Sequence, residues 1–183
     1  MAMPVLSKKA KTEIYEWIKC IGIAVAIAAF VMVFIGRSTV VDGSSMEPTL
    51  RDRDRLWLDK LTYRFRGPER GDIVVFDTPQ GRYIKRVIAL PGEQVWSENG
   101  LVYVNGRRLQ EDYVKDIIRR GGDIPKRTVP EGAVWVLGDN RNNSDDSRGT
   151  VGFLDIDRIV GRVVFRYYPL SSIGVVGNEY SGD

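Results

Sequence analysis

The sequence predicts a mainly β protein, an antiparallel β-sheet domain carried behind one N-terminal transmembrane helix, and three observations predict it. A run from Cys20 to Ile35 contains no charged residue. Beyond it, short β-branched and aromatic stretches alternate with turn residues, and no long helical period is found. Asn99-Gly100 and Asn105-Gly106 then stand between apolar stretches, and Asn-Gly is the strongest short hairpin signal because both residues tolerate positive φ.

The apolar run of sixteen residues spans about 24 Å at 1.5 Å per residue, short of a hydrocarbon core of roughly 30 Å. Extension back to Ile14 closes the gap if Glu16 and Lys19 reach the interface and Tyr15 and Trp17 form an aromatic belt. An anchor over residues 14–36 follows, with a cytoplasmic tail of residues 1–13. Lys8, Lys9 and Lys11 precede the run and Arg37 alone closely follows it, so the positive-inside rule puts the N-terminus in the cytoplasm and residues 37–183 outside. The expected location is the cytoplasmic (plasma) membrane, single-pass. A removable signal peptide is the rival reading; no obvious Ala-x-Ala ending follows Ile35, which favours a retained anchor. Trp17-Ile18-Lys19 before Cys20 has none of the small residues that a lipid-attachment site needs.

Within residues 37–183, Asp72 to Asp77 reads as a strand between Arg70-Gly71 and Pro79-Gln80-Gly81. Tyr83 to Leu90 reads as another, ending at Pro91-Gly92. Gln94 to Trp96, Leu101 to Val104 and Arg107 to Leu109 form a meander inserted at about residues 92–130. Val134 to Leu137 and Ile159 to Phe165 complete the set. Ordinary core packing is the expected role of Trp57, Phe65 and Phe153, with seating on lipid the alternative. Asn178 to Asp183 reads as a frayed end.

Composition removes several functions. There is no histidine and one cysteine, so imidazole bases, disulfides and thiolate metal clusters are excluded. Removing the charges at and before Lys19 leaves 23 basic and 22 acidic residues, and a near-neutral domain without a basic stripe argues against nucleic acid. No cofactor or metal is expected, and a monomer is.

Ser45 lies in Gly43-Ser44-Ser45-Met46-Glu47-Pro48-Thr49-Leu50, on an extended or sharply turned backbone because Pro48 keeps Glu47 from helical geometry. A serine nucleophile needs a proton acceptor, and without histidine the known alternative is a neutral lysine. Four lysines follow the apolar run. Lys115 and Lys126 lie in polar or turn-like stretches and read as solvated; Lys60 shares a face with Leu56 and Leu58. Lys85 shares one with Tyr83, Val87 and Ala89. Burial there disfavours the charged form, and lowering the amine from about 10.4 to about 8 takes on the order of 3 kcal/mol. The plainer readings are a snorkelling Lys85 and a Ser45 that only turns the chain.

A third cluster, Gly138 to Arg148, is rich in oxygen ligands but fails the calcium-loop pattern, since Arg141 falls in a ligand position or the mid-loop Gly and closing Glu are missing. It reads either as a polar loop with Asx turns or as a set of hydrogen bonds and ion pairs that holds a base in place.

Together these clusters resemble the type I signal peptidases, membrane-bound serine proteases that remove signal peptides from exported proteins. Ser45 to Leu50 is similar to the family's nucleophile box, Arg70 to Phe76 to its core strand, Tyr83 to Val87 to its lysine box, and Gly138 to Arg148 to its last box; the similarity runs from about residue 14 to 168. The resemblance implies Ser45 as nucleophile and Lys85 as general base. It implies Ser144 bonding to the lysine amine, and Asp139, Asp146, Arg148 and Arg86 as polar scaffold, with Met46 among the supporting residues. Gly43 stands where some members carry an oxyanion-hole serine, so the hole would rest on backbone amides, as in the Gram-positive-type short branch. The implied partners are preprotein signal peptides with small residues near the cleavage site, and membrane lipid. Two other readings are a membrane-tethered, non-catalytic β-domain binding module and a self-cleaving repressor, which also uses a Ser-Lys pair but carries a DNA-binding domain in place of the anchor.

Overall fold

The computed structural model describes residues 8–34, 36–119 and 121–177. It divides into two compact units, Met1–Gly36 and Arg37–Asp183.

The first unit holds helix α1, Lys8–Phe34. Ile14, Trp17, Ile18, Ile21, Val25 and Ile27 are all exposed on it, as is Cys20. Among the described residues no helix is long and apolar enough to cross a membrane. The span expected over 14–36 is therefore not shown by this helix. Glu13, Glu16 and Lys19 are exposed on the first half of the helix, and the side chains of residues 28–36 lie outside those described. Residues 1–7 of the expected tail 1–13 lie outside them, its remainder opening α1, and so do residues 178–183, expected to fray.

The second unit is built from antiparallel strands: β1 Gly36–Val40, β2 Arg55–Asp59, β3 Ile73–Thr78, β4 Gly81–Ala89, β5 Gln94–Glu98, β6 Leu101–Val104, β7 Arg107–Arg108, β8 Arg127–Thr128, β9 Ala133–Leu137, β10 Leu154–Asp155, β11 Ile159–Tyr168 and β12 Gly174–Val175. One sheet runs β1-β2-β11-β3-β4-β9-β10, with β12 on β11. A smaller one runs β7-β6-β5-β8 and is the expected insert. Both Asn-Gly pairs take positive φ, 53° and 80° at Asn99-Gly100 and 50° and 85° at Asn105-Gly106, as tight hairpins of right-handed strands require. Trp96 and Tyr103 pair across β5 and β6 and stack with ring centroids 5.6 Å apart.

The strand that carries Lys85 is buried on both faces from Ile84 to Ala89, so its period-two pattern does not divide core from solvent. Its neighbours explain this. β3 and β9 flank β4, and three apolar clusters meet around it: one with Met46, Leu50, Ile73 and Ile84, one with Val74, Phe76, Val87 and Val136, and one with Ile88, Ala89, Trp135 and Leu137. Phe153 packs edge-on against Trp135 and Trp57 is half-buried, but Phe65 is 83% exposed, which corrects its expected core role.

Candidate active site

Ser45 stands in a loop of turns over residues 42–50, between β1 and β2. Glu47 N donates to Ser44 O and Leu50 N to Met46 O, closing the turn, while Met46 and Leu50 insert fully into the core and fix it from below. Met46 thus supports the serine as a plug. Asn140 N donates to Ser45 O at 3.0 Å and Asn140 Nδ2 to Ser44 O at 3.1 Å, so the loop after β9 grips the serine's own backbone.

Lys85 reaches the same point from β4. Its Nζ donates to Ser45 Oγ at 2.8 Å and to Ile84 O at 3.0 Å, with the residue 3% exposed. Burial is the largest influence on the amine and lowers it to about 8; Asp146, Asp145 and Asp139 pull in the opposite direction. The other three lysines of the second unit are exposed, Lys60 among them despite its alternation with Leu56 and Leu58, because β2 ends at Asp59. The two groups open on a cleft of about 280 Å³ lined by Val41, Asp42, Met46, Tyr83, Ile84 and Asp145.

The scaffold is a set of buried ions, each paired. Arg86, on the opposite face of β4, is fully buried and grips Asp139 with two bonds, Nε to Oδ1 at 2.9 Å and Nη2 to Oδ2 at 2.7 Å. Thr49 Oγ1 donates to Asp139 Oδ2 at 2.6 Å, and the Arg86 guanidinium lies 3.9 Å from the centre of the Tyr113 ring. Asp146 accepts from Gly138 N at 3.0 Å and from Arg148 Nε and Nη2 at 2.9 and 2.8 Å. Two-bond grips of this kind are among the strongest charge-assisted hydrogen bonds, and they fix the geometry of both partners.

Ser144 stands differently from expectation. Its Oγ is buried with no hydrogen-bond partner among the described residues, so it makes no bond to Lys85. It lies against Gly138, where a Cβ would collide with Ser144 Oγ and come within 2.5 Å of Ser45 O. Glycine at 138 is therefore a steric requirement of the close approach of two loops, not of a special φ. Gly138, Thr49, Tyr113 and the Arg141–Glu111 ion pair were not singled out as site residues by the sequence. No pattern announces Glu111 or Tyr113, which come from the insert; only the strand-to-loop position of Gly138 hinted at a close approach. Among the described residues, no group of side chains could hold a metal ion.

Comparison with known proteins adds the family. The model of the family described as "Signal peptidase, peptidase S26" matches residues 14–168. A probable signal peptidase I-1 of Synechocystis is 41% identical over 90% of this chain and 88% of its own length. A signal peptidase I of Bacillus licheniformis is 37% identical over 91% and 95%, and signal peptidase I T of Bacillus subtilis 39% over 90% and 91%. A solved signal peptidase I of Enterococcus faecalis aligns at 36% identity with a TM-score of 0.45, over 53% of this chain and 97% of that one. The chain belongs to the signal peptidase family, peptidase S26.

Proposed function

We propose that this chain is a membrane-bound serine endopeptidase that cleaves signal peptides from exported preproteins, with Ser45 as nucleophile and neutral Lys85 as general base. One observation carries the assignment of roles: a buried amine, lowered to about 8, donates a 2.8 Å hydrogen bond to a serine hydroxyl. At pH above the amine's value Lys85 is neutral and can take the Ser45 proton as Oγ attacks the scissile carbonyl. The tetrahedral intermediate collapses to an acyl-enzyme, its amine leaving group takes the proton, and a water deprotonated by the same lysine then releases the new carboxylate. The amide of Ser45 has no acceptor among the described residues and is the donor expected to meet the oxyanion; Gly43 N is already committed to Asp52 Oδ1 at 2.9 Å.

Arg86, Asp139, Asp146 and Arg148 act by fixing the two loops and β4 around the pair, Met46 by anchoring the serine turn, and Ser144 by its contact at Gly138. An extended substrate would add as a strand beside the cleft, small residues entering it. The uncharged run from Cys20 to Ile35 and the exposed apolar side chains of α1 support a single-pass anchor with a cytoplasmic N-terminus and the β domain outside.

The test follows cleavage of a preprotein in detergent by the wild type, Ser45→Ala and Lys85→Ala, with far-ultraviolet circular dichroism to check that each variant folds. Loss of cleavage in both folded variants is expected. Equal activity in all three would leave only a tethered binding module.

A further inference from the structure

Three carboxylates stand around the Lys85 amine, and they are not equivalent. Asp139 is matched by Arg86 and Asp146 by Arg148, each in a two-bond grip. Asp145 has neutral partners alone among the described residues: Thr150 N at 2.9 Å, Thr150 Oγ1 at 2.5 Å by its other oxygen, and the hydroxyl of Tyr83 at 3.3 Å. Its negative charge is therefore fixed in place and not cancelled locally. Gly149 leaves room for it, since a Cβ there would come within 2.5 Å of Asp145 Oδ1.

Tyr83 joins this carboxylate to the base. It lies two residues before Lys85 on β4, its hydroxyl donates to Asp145, and its ring centre lies 5.1 Å from Lys85 Nζ. The ring packs edge-on against Phe76 with centroids 6.0 Å apart, and the bond from its hydroxyl to Asp145 holds the far end. Around the amine, Val74 of β3 stands across from Lys85 in register, the Ile84 carbonyl accepts from Nζ, the Ser45 hydroxyl approaches from the serine turn, and Arg86 points to the opposite face; Asp42, exposed, and Arg82, paired with Asp77, line the same cleft.

The geometry points to Asp145 as a positioning residue for the base: it holds the far end of the Tyr83 ring against the Lys85 amine and supplies beside it a negative charge that no arginine among the described residues matches. This rests on the reading of Lys85 as general base. Two separable effects follow. The charge favours the ammonium form, so it sets how alkaline the medium must be before the base is free. The tether keeps the ring over the amine, which holds Nζ in line with Ser45 Oγ.

Three variants separate the effects in profiles of kcat/KM against pH on a preprotein. Asp145→Asn keeps the shape and an acceptor oxygen but removes the charge, and its acidic limb should move to lower pH by roughly half a unit. Tyr83→Phe keeps ring and charge but cuts the tether, and its plateau should fall roughly tenfold with the limb unmoved. Asp145→Ala should show both changes. A limb position does not depend on the fraction of enzyme that is folded, so a merely structural role for Asp145 would leave it in place. Coincident limbs for the wild type and Asp145→Asn, or a wild-type plateau in Tyr83→Phe, would overturn the inference. Lys85→Ala is assayed alongside: if inactive, such a failure belongs to Asp145 alone, whereas an active Lys85→Ala would remove the base assignment and this inference with it.

Discussion

Lys85 carries a cost that its neighbours reveal. An amine lowered from 10.5 to about 8 binds its proton less tightly in the folded chain than in the unfolded one. Stability therefore rises with pH between about 8 and 10.5, where the unfolded chain holds more protons; below that window the whole penalty, about 3 kcal/mol, is present. The burial that lowers the amine, and so suits it to the proposed role of base, is thus the burial that weakens the fold, a known trade at active sites. Lys85→Met, which fills the same space without a charge, should melt at a higher temperature than the wild type at neutral pH. The difference should shrink as the pH approaches 10.5. Thermal melts of both proteins across that range check this, and a gap that is constant or grows with pH would contradict it. The residue could be picked out in the sequence because β-branched and aromatic neighbours surround it. Arg86 could not be placed by the same reasoning: alternation puts it on the other face of β4, and what buries it there is Asp139, more than fifty residues further on.

At the scale of elements, the signals that could be read were local. Both Asn-Gly hairpins form with the backbone signs that their chemistry demands, and β6 spans Leu101–Val104 as its apolar pattern indicates. Strands whose reason lies elsewhere in the chain were not recognised. β2 pairs with β11 about a hundred residues away, while β8, β10 and β12 have two residues each and exist only as partners of longer strands. The Ser144 contact is of the same kind, since it depends on how two loops meet at Gly138. The hairpins also support a graded prediction. Gly106 and Gly100 both hold positive φ, but a Cβ at 106 meets nothing within 4 Å while one at 100 would collide with Ile118 O. Gly106→Ala should cost about 1 kcal/mol from backbone strain, and Gly100→Ala clearly more, because Ile118 N also bonds Gly100 O. Urea unfolding of both variants measures the difference, and equal losses would mean that the Gly100 contact is easily relieved.

For the whole molecule, a mainly antiparallel β domain and a signal peptidase chemistry could be inferred before any coordinates, because several short boxes stand in order behind an apolar run. The anchor was harder to judge. Its sixteen uncharged residues fall short of a bilayer unless Glu16 and Lys19 snorkel, and both are exposed on α1. The near-neutral second unit offers little net charge to steer a substrate, so under the proposed function preproteins are selected by the cleft and by the anchoring proposed for the chain. All of this converges on the state of a single amine at the mouth of that cleft. The most direct measurement is an NMR titration of the chain carrying isotope-labelled lysine, with the Lys85 signal assigned by its loss in Lys85→Met. A midpoint near 8, well below the ordinary 10.5, is expected. A midpoint at the ordinary 10.5 would leave Ser45 without a base at neutral pH and contradict the account.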